Sequence, residues 1–155
     1  MLYNFHEVDP HVQEIRLRKL NKGNCRLALP LLEAQYREHD IDLSGPRLLK
    51  AMRTLVDGNG VLLLAGSAGV AELSWQFSLE RAGRVAWMEE LYVAPDHRGK
   101  GLGSRLIERA VQEARKAGCV TVELEVVRGH ERAAKLYLRE GFALLPRRRY
   151  SRRLK

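Results

Sequence analysis

Residues 98–105, Arg-Gly-Lys-Gly-Leu-Gly-Ser-Arg, set three glycines at alternate positions among three cations. Glycine has no Cβ, so the backbone at Gly99, Gly101 and Gly103 can come close to a ligand. A helix opening here presents unpaired N–H groups and the positive end of its dipole, which favour an anion. Arg98, Lys100 and Arg105 add side-chain charge. The chemistry this composition suits is the cradling of a pyrophosphate; the plainer alternative is a flexible turn with a solvated charge cluster. Two familiar phosphate loops do not fit. A Walker loop needs Gly-Lys-Ser/Thr, and here Lys100 is followed by Gly101. A G-x-G-x-x-G fingerprint fails because Ser104 or Leu106 stands where its third glycine belongs.

Other reactive side chains flank this turn. His130, Ala133 and Tyr137 recur at i, i+3 and i+7, which is one helix face. Upstream, period-two alternation puts Trp87, Glu89, Leu91 and Val93 on one strand face and Met88, Glu90 and Tyr92 on the other. Glu89 then lies on an apolar face, where desolvation raises a carboxyl toward the basicity of a proton acceptor. Both glutamates also read as ion-pair partners for one of the many arginines. Cys25 and Cys119 lie far apart and outside metal-ligand spacing, so they read as buried thiols in a reducing compartment, and no metal is expected.

These residues need elements to position them. The run 12–20 reads as a first strand through Val12, Ile15 and Leu17. Residues 24–40 carry helical spacing at Leu27, Leu31 or Leu32, and Tyr36, with Pro30 either kinking the helix or starting its main part. A second helix follows from Ser44 as N-cap, with Pro46 in its first turn and Gly58 as the stop. "GVLLLAG", "GVAELSWQFSL" and "RVAWMEELYV" form an antiparallel meander joined by tight turns. Leu102, Leu106, Ile107, Ala110, Val111 and Ala114 then make a 3.6-period stripe ended by Gly118. Residues 120–127 read as a strand with Val120, Val122, Leu124 and Val126 on one face, and 130–140 as a helix ended by Gly141. Residues 142–154 read as one or two closing strands. Strand, helix and strand around the glycine turn imply a right-handed crossover between parallel strands.

The chain of 155 residues is expected to be a single domain, 1–155. No apolar run reaches the ~18 residues needed to span a bilayer, and no signal peptide is read. A soluble, cytoplasmic protein is expected. The net charge is +8, but residues 147–155 hold six of the 27 basic residues and no acid. Such a tail suits nucleic acid, yet Tyr150 and Leu154 interrupt it, so a terminal strand with solvent-facing arginines fits equally well.

Arg98-x-x-Gly101-x-Gly103 after "LYVAPDH" resembles the acetyl-CoA-binding motif of the GCN5-related N-acetyltransferase (GNAT) family. "HERAAKLYLREGF" resembles that family's N-x-x-A-x-x-L-Y-x-x-x-G-F segment, with His130 in place of the usual asparagine. The matched motifs cover about residues 85–142. The resemblance implies an α/β fold: a central, mostly antiparallel mixed sheet of six to seven strands with a splayed parallel pair, flanked by about four helices.

It also implies pantetheine lying in the splay, paired to Leu91 and Val93 with Tyr92 between them, and the Leu91 N–H polarising the thioester carbonyl. The pyrophosphate is expected on Arg98, Gly99, Lys100, Gly101, Leu102, Gly103 and Ser104. Ala133 leaves room for the cofactor, and His130 is expected to hydrogen-bond its pantetheine or phosphate region, with a solvated residue at the helix start as the alternative. Tyr137 matches the family's acid toward the leaving thiolate, with a core aromatic as its alternative. Glu89, nine residues before the motif arginine, is the expected base, with Glu90 or neither as alternatives. Residues 24–57 and the 74–84 hairpin are expected to select the acceptor; Glu33, Glu38, Asp40 and Asp42 read first as a solvated helix end and, as the alternative, as acids that suit a cationic amine.

The implied activity is acetyl transfer from acetyl-CoA to a primary amine of a small molecule, such as a polyamine, amino acid or aminoglycoside, in a homodimer without membrane or nucleic-acid partners. The competing readings are a protein lysine or N-terminal acetyltransferase, a non-catalytic coenzyme A-binding protein, and a basic nucleic-acid-binding module.

Overall fold

The computed structural model describes residues 15–154. Its strands are β1 (Leu17–Lys19), β2 (Gly60–Ala65), β3 (Gly69–Ser78), β4 (Gly83–Met88), β5 (Leu91–Val93) and β6 (Cys119–Leu124). Its α-helices are α1 (Leu29–Glu38), α2 (Gly45–Thr54), α3 (Leu102–Lys116) and α4 (Glu131–Arg139). The sheet order is β1-β2-β3-β4-β6, with β5 also paired to β3. All pairings are antiparallel except β4 with β6, the parallel pair that α3 connects.

Helices cover both faces of the sheet, and the alternation of the strands explains why. In β2, Val61, Leu63 and Ala65 join Leu102, Leu106, Ala110 and Ala114 of α3 in one core. Leu62 and Leu64 join Leu31 and Leu32 of α1 and Leu48 and Met52 of α2 in the other. A strand buried on both faces reads as an unbroken apolar run, which "GVLLLA" is. Fully burying side chains such as Leu106 and Ile107 stabilises the fold by about 1.5–3 kcal/mol each.

Pro30 lies in the first turn of α1 and so starts the helix. The preceding residues, Cys25–Ala28, form a separate 3-10 turn, and this leaves Leu27 exposed instead of on the helix face. Cys25 meets the expectation of a buried thiol, and the half-buried Cys119 does not. Ser44 occupies the N-cap position of α2 but makes no side-chain cap. The first strand is shorter than its sequence pattern, Leu17–Lys19, and Val12 lies outside the described residues.

Two strand expectations need correction. β6 stops at Leu124, and a register shift at its start makes Val120 an exposed extra residue beside Gly83. Residues 142–154 form no strand. They run as an extended arm in which Arg147 pairs with Glu80, and Arg149 pairs with Glu125 while lying over the Trp87 ring. Exposed ion pairs, each of modest strength, connect the arm to the rest of the protein, and among the described residues no hydrogen-bond ladder does.

Candidate active site

β4 and β5 form one strand interrupted by a β-bulge, and the bulge builds the site. Ser74 of β3 faces Trp87 and Ala71 faces Leu91. Glu72 and Leu73 therefore oppose Met88, Glu89 and Glu90, one residue more than the ladder can pair. The extra residue inverts the alternation: Ala86, Met88, Leu91 and Val93 all pack toward α3, while Tyr92 packs toward α1. The sequence pattern, which put Met88 and Leu91 on opposite faces, treated this strand as continuous. The bulge also ends the contact with β6. Pairing stops at Met88 with Leu124, and beyond that point β5 pairs only with β3. A gap therefore opens between β5 and the end of β6. The Glu90 carbonyl accepts the Glu72 N–H, and the Ala94 N–H donates to Ala68. Antiparallel alternation then turns the N–H groups of Leu91 and Val93 toward the gap.

The bulge gathers carboxyl groups. Glu90 is half-buried and accepts the Tyr36 hydroxyl at 2.8 Å and Gln35 Nε2 at 2.6 Å, both from α1. Burial pushes its carboxyl up to about 7, and the Glu89 charge adds to this against the opposing hydrogen bonds of Tyr36 and Gln35. Glu72 is buried at 8% exposure, and its Oε2 accepts the Glu89 N–H at 3.3 Å. Burial, reinforced by the Glu89 charge, pushes it up to about 8. Glu89 itself is exposed, which corrects the expectation of a desolvated Glu89 on an apolar face. The bulge carries Glu90 into that environment instead. The sequence does not point to Glu72 or Gln35, and it marks Tyr36 only as part of the helical spacing of residues 24–40. The available signal for Glu72 was a lone carboxylate in the otherwise apolar start of β3.

Across the gap, Tyr137 of α4 is half-buried against the α3-side core and meets Phe142 edge to face at 5.6 Å. Burial pushes its hydroxyl up to about 12, and the negative charge of Glu90 contributes. Ala133 is half-buried on the same helix. His130 is exposed at the start of α4, with its ring 5.2 Å from that of His39 just past α1.

The glycine turn opens α3 as the spacing predicts. Gly99 and Gly101 have φ of +76° and +81°, and Gly101 occupies the N-cap position. A Cβ at Gly101 would meet nothing within 4 Å, so glycine there serves conformation and an open approach to the helix N-terminus. Gly103 does a different job: a Cβ there would stand 3.2 Å from Leu136, so its absence lets α4 pack on α3.

The expected side-chain cations are engaged elsewhere. Arg98 donates to both carboxylate oxygens of Glu38 at 3.0 and 2.8 Å and to the Val93 carbonyl at 2.8 Å, tying the turn to α1. Lys100 donates to the Asp96 carbonyl and Arg105 to that of Ile15. Arg132 of α4, not anticipated, brings its guanidinium to Gly99, 3.5 Å from where a Cβ would sit. Three other residues expected at the cofactor also have their side chains engaged elsewhere. The Tyr92 side chain points away from the gap, its hydroxyl donating to Glu38 at 2.7 Å. Ser104 donates to Glu140 at 2.6 Å, and the Leu102 side chain is core. What Leu102 and Ser104 keep for a ligand is backbone N–H at the helix start.

Among the described residues no helix is long and apolar enough to cross a membrane. Comparison with known proteins agrees with the architecture. Residues 24–142 match the model of the acetyltransferase (GNAT) family. Over 74 residues the chain is 39% identical to the aminoalkylphosphonate N-acetyltransferase of Salmonella typhimurium, a stretch covering 48% of each protein. The matched share of other curated relatives is about a third of their length. An integron cassette protein from the mobile metagenome of Cole Harbour Salt Marsh superposes with a TM-score of 0.80 at 22% identity, covering 95% of this chain and 97% of that one. An acetyltransferase of Trypanosoma brucei does so with a TM-score of 0.69 at 26% identity, covering 88% and 98%. The family match begins just before α1 and ends just after α4, so it takes in the bulge, the gap and the glycine turn together: the chain belongs to the GNAT acetyltransferase family.

Proposed function

We propose that this protein transfers the acetyl group of acetyl-CoA to the primary amine of a small molecule. The observation that carries the reading is the bulge, which ends the pairing of this strand with β6 at Met88 and Leu124 and brings Glu90 to Gln35 and Tyr36 of α1. The Leu91 N–H, turned toward the gap, polarises the thioester carbonyl in this reading. Gly99, Gly101 and the first N–H groups of α3 suit the pyrophosphate, with Arg132 as the nearby cation. In the same reading His130 and Ala133 border the cofactor.

The amine nitrogen attacks the carbonyl carbon and the carbon–sulfur bond breaks. Glu90, rather than the exposed Glu89, takes the proton lost by the amine. The departing sulfur receives the hydrogen bond of the Tyr137 hydroxyl. A carboxyl held near 7 is matched to this task, because a base works best when its pKa lies near the operating pH. A small amine as acceptor is supported by the name of the Salmonella relative, an aminoalkylphosphonate N-acetyltransferase.

The test is free-thiol release from acetyl-CoA with a panel of aminoalkylphosphonates, polyamines, aminoglycosides, amino acids and lysine peptides. A small amine should be turned over, with activity rising through about pH 7 as Glu90 ionises. Glu90→Gln should lower kcat by ~10²–10⁴-fold. Tight acetyl-CoA binding with no turnover of any amine would replace this reading with a non-catalytic coenzyme A-binding one. Turnover of the peptides alone would move the acceptor to proteins.

A further inference from the structure

Glu72 is a buried carboxyl with no task in the reaction outlined above. The other buried glutamate, Glu113, is surrounded by Lys19, Arg109 and Lys116. Among the described residues no such cation pairs with Glu72. The groups that face it are Glu89 and Glu90 from the bulge and, through Glu90, the Gln35 amide and Tyr36 hydroxyl of α1 and Tyr137 of α4. From β2 its register partner is Leu62, which brings no charge.

We propose that Glu72 is a positioning residue for acetyl transfer: a neutral carboxyl that pins the bulge presenting Glu90 and leaves Glu90 as the member of the pair that ionises. The inference rests on the acetyl-transfer reading of the site. The bulge strips the Glu89 N–H of a strand partner, and Glu72 Oε2 supplies one at 3.3 Å. A neutral carboxyl fills that acceptor role through its carbonyl oxygen. Adjacent buried carboxyls without a cation do not both ionise, and the donors around them decide which one does. Glu90 receives two side-chain donors, which favour its charged form. Glu72 accepts one backbone amide, that of Glu89, and is more deeply buried than Glu90. The proton therefore stays on Glu72. Gln35 Oε1, on the amide that bonds Glu90, is buried without a donor. Desolvation raising Glu72 above Glu90, to about 8 against about 7, agrees with this division.

The experiment is a 13C NMR titration of the glutamate side-chain carboxyls in the full chain without ligands, beside Glu72→Gln, Glu72→Met and Glu90→Gln. A carboxyl titrating near pH 8 should be present in the wild type and absent from Glu72→Gln. One titrating near pH 7 should persist in Glu72→Gln and vanish in Glu90→Gln. On the amine identified by the panel, Glu72→Gln should keep kcat within about threefold and leave the acidic limb in place, because its amide oxygen reproduces the neutral acceptor. Glu72→Met, which removes the acceptor, should lose tenfold or more in kcat.

A Glu72 carboxyl already ionised at pH 6 overturns the proposal, as does a Glu72→Gln variant as impaired as Glu72→Met. If Glu72→Met does not fold, the titration and Glu72→Gln decide. If the panel finds no acceptor, the titration still decides the protonation of Glu72, and the failure belongs to the acetyl-transfer reading.

Discussion

Replacing Tyr137 by phenylalanine removes one hydroxyl and keeps the ring that meets Phe142. The size of the effect follows from the tyrosine's setting. Its hydroxyl is pushed up to about 12, by burial first and then by the Glu90 charge. A model thiol has a pKa of about 8.5, so full transfer of the Tyr137 proton to a leaving thiolate is uphill by about 3.5 units, or about 5 kcal/mol. The hydroxyl therefore contributes chiefly as a hydrogen-bond donor to the sulfur as its charge develops. Hydrogen bonds to charged groups contribute ~1.5–3 kcal/mol, which converts to roughly 10- to 150-fold in rate. Tyr137→Phe should lower the single-turnover acetylation rate by that factor, leave acetyl-CoA affinity within about twofold, and leave the shape of the pH–rate profile unchanged. Rapid-quench measurement at saturating acetyl-CoA separates chemistry from product release. A fall beyond a thousandfold that also removes the alkaline limb would refute the reasoning in favour of complete proton donation. A rate within twofold of the wild type would make Tyr137 a packing residue.

Gly101→Glu should abolish acetyl-CoA binding in calorimetry, because a carboxylate at the helix start opposes the pyrophosphate. Gly101→Ala, facing open space at φ +81°, should only cost the ~1–2 kcal/mol of a left-handed residue in thermal unfolding. A variant lacking residues 147–155 should keep acetyl-CoA affinity within about threefold, since Arg147 and Arg149 pair with Glu80 and Glu125, away from α3. Folded protein that has lost cofactor binding would contradict this. Glu72→Gln should raise Tm at pH 8 and change it little at pH 4. The Glu72 carboxyl is raised from 4.5 to about 8 on folding, so the native state holds a proton that the unfolded state releases across that window. Wild-type stability therefore falls as pH rises from about 4.5 to 8, by an amount on the order of a few kcal/mol. A variant with an equally steep decline would show that Glu72 is not the source.

The turn and its helix were legible in sequence because their signals are local. Glycines need particular backbone angles, and the apolar stripe of α3 repeats with the helix period across fifteen residues. The bulge was not legible, because "AWMEELYV" alternates plausibly in either register and the extra residue is defined only by what β3 places opposite. Which glutamate is desolvated follows from the bulge, so Glu89 and Glu90 could not be separated by spacing. Arg98 was read correctly as part of the turn, but its partner Glu38 lies sixty residues earlier, and only the fold brings them together. The arm at 142–154 has strand-like alternation, yet its arginines find carboxylates on separate elements before a ladder forms.

One inserted residue at the bulge acts on this strand as a frameshift acts on a reading frame. Every position after Glu90 has the opposite facing from the one that counting forward from Gly83 assigns. A substitution scheme for the acceptor side must therefore use one parity through Met88 and the other from Leu91 onward. Deleting either Glu89 or Glu90 would restore a continuous count on paper. It would leave Leu91 and Val93 facing α3 and Tyr92 facing α1, as in the bulged strand, and would cost only the bulge itself and the carboxyl removed with it.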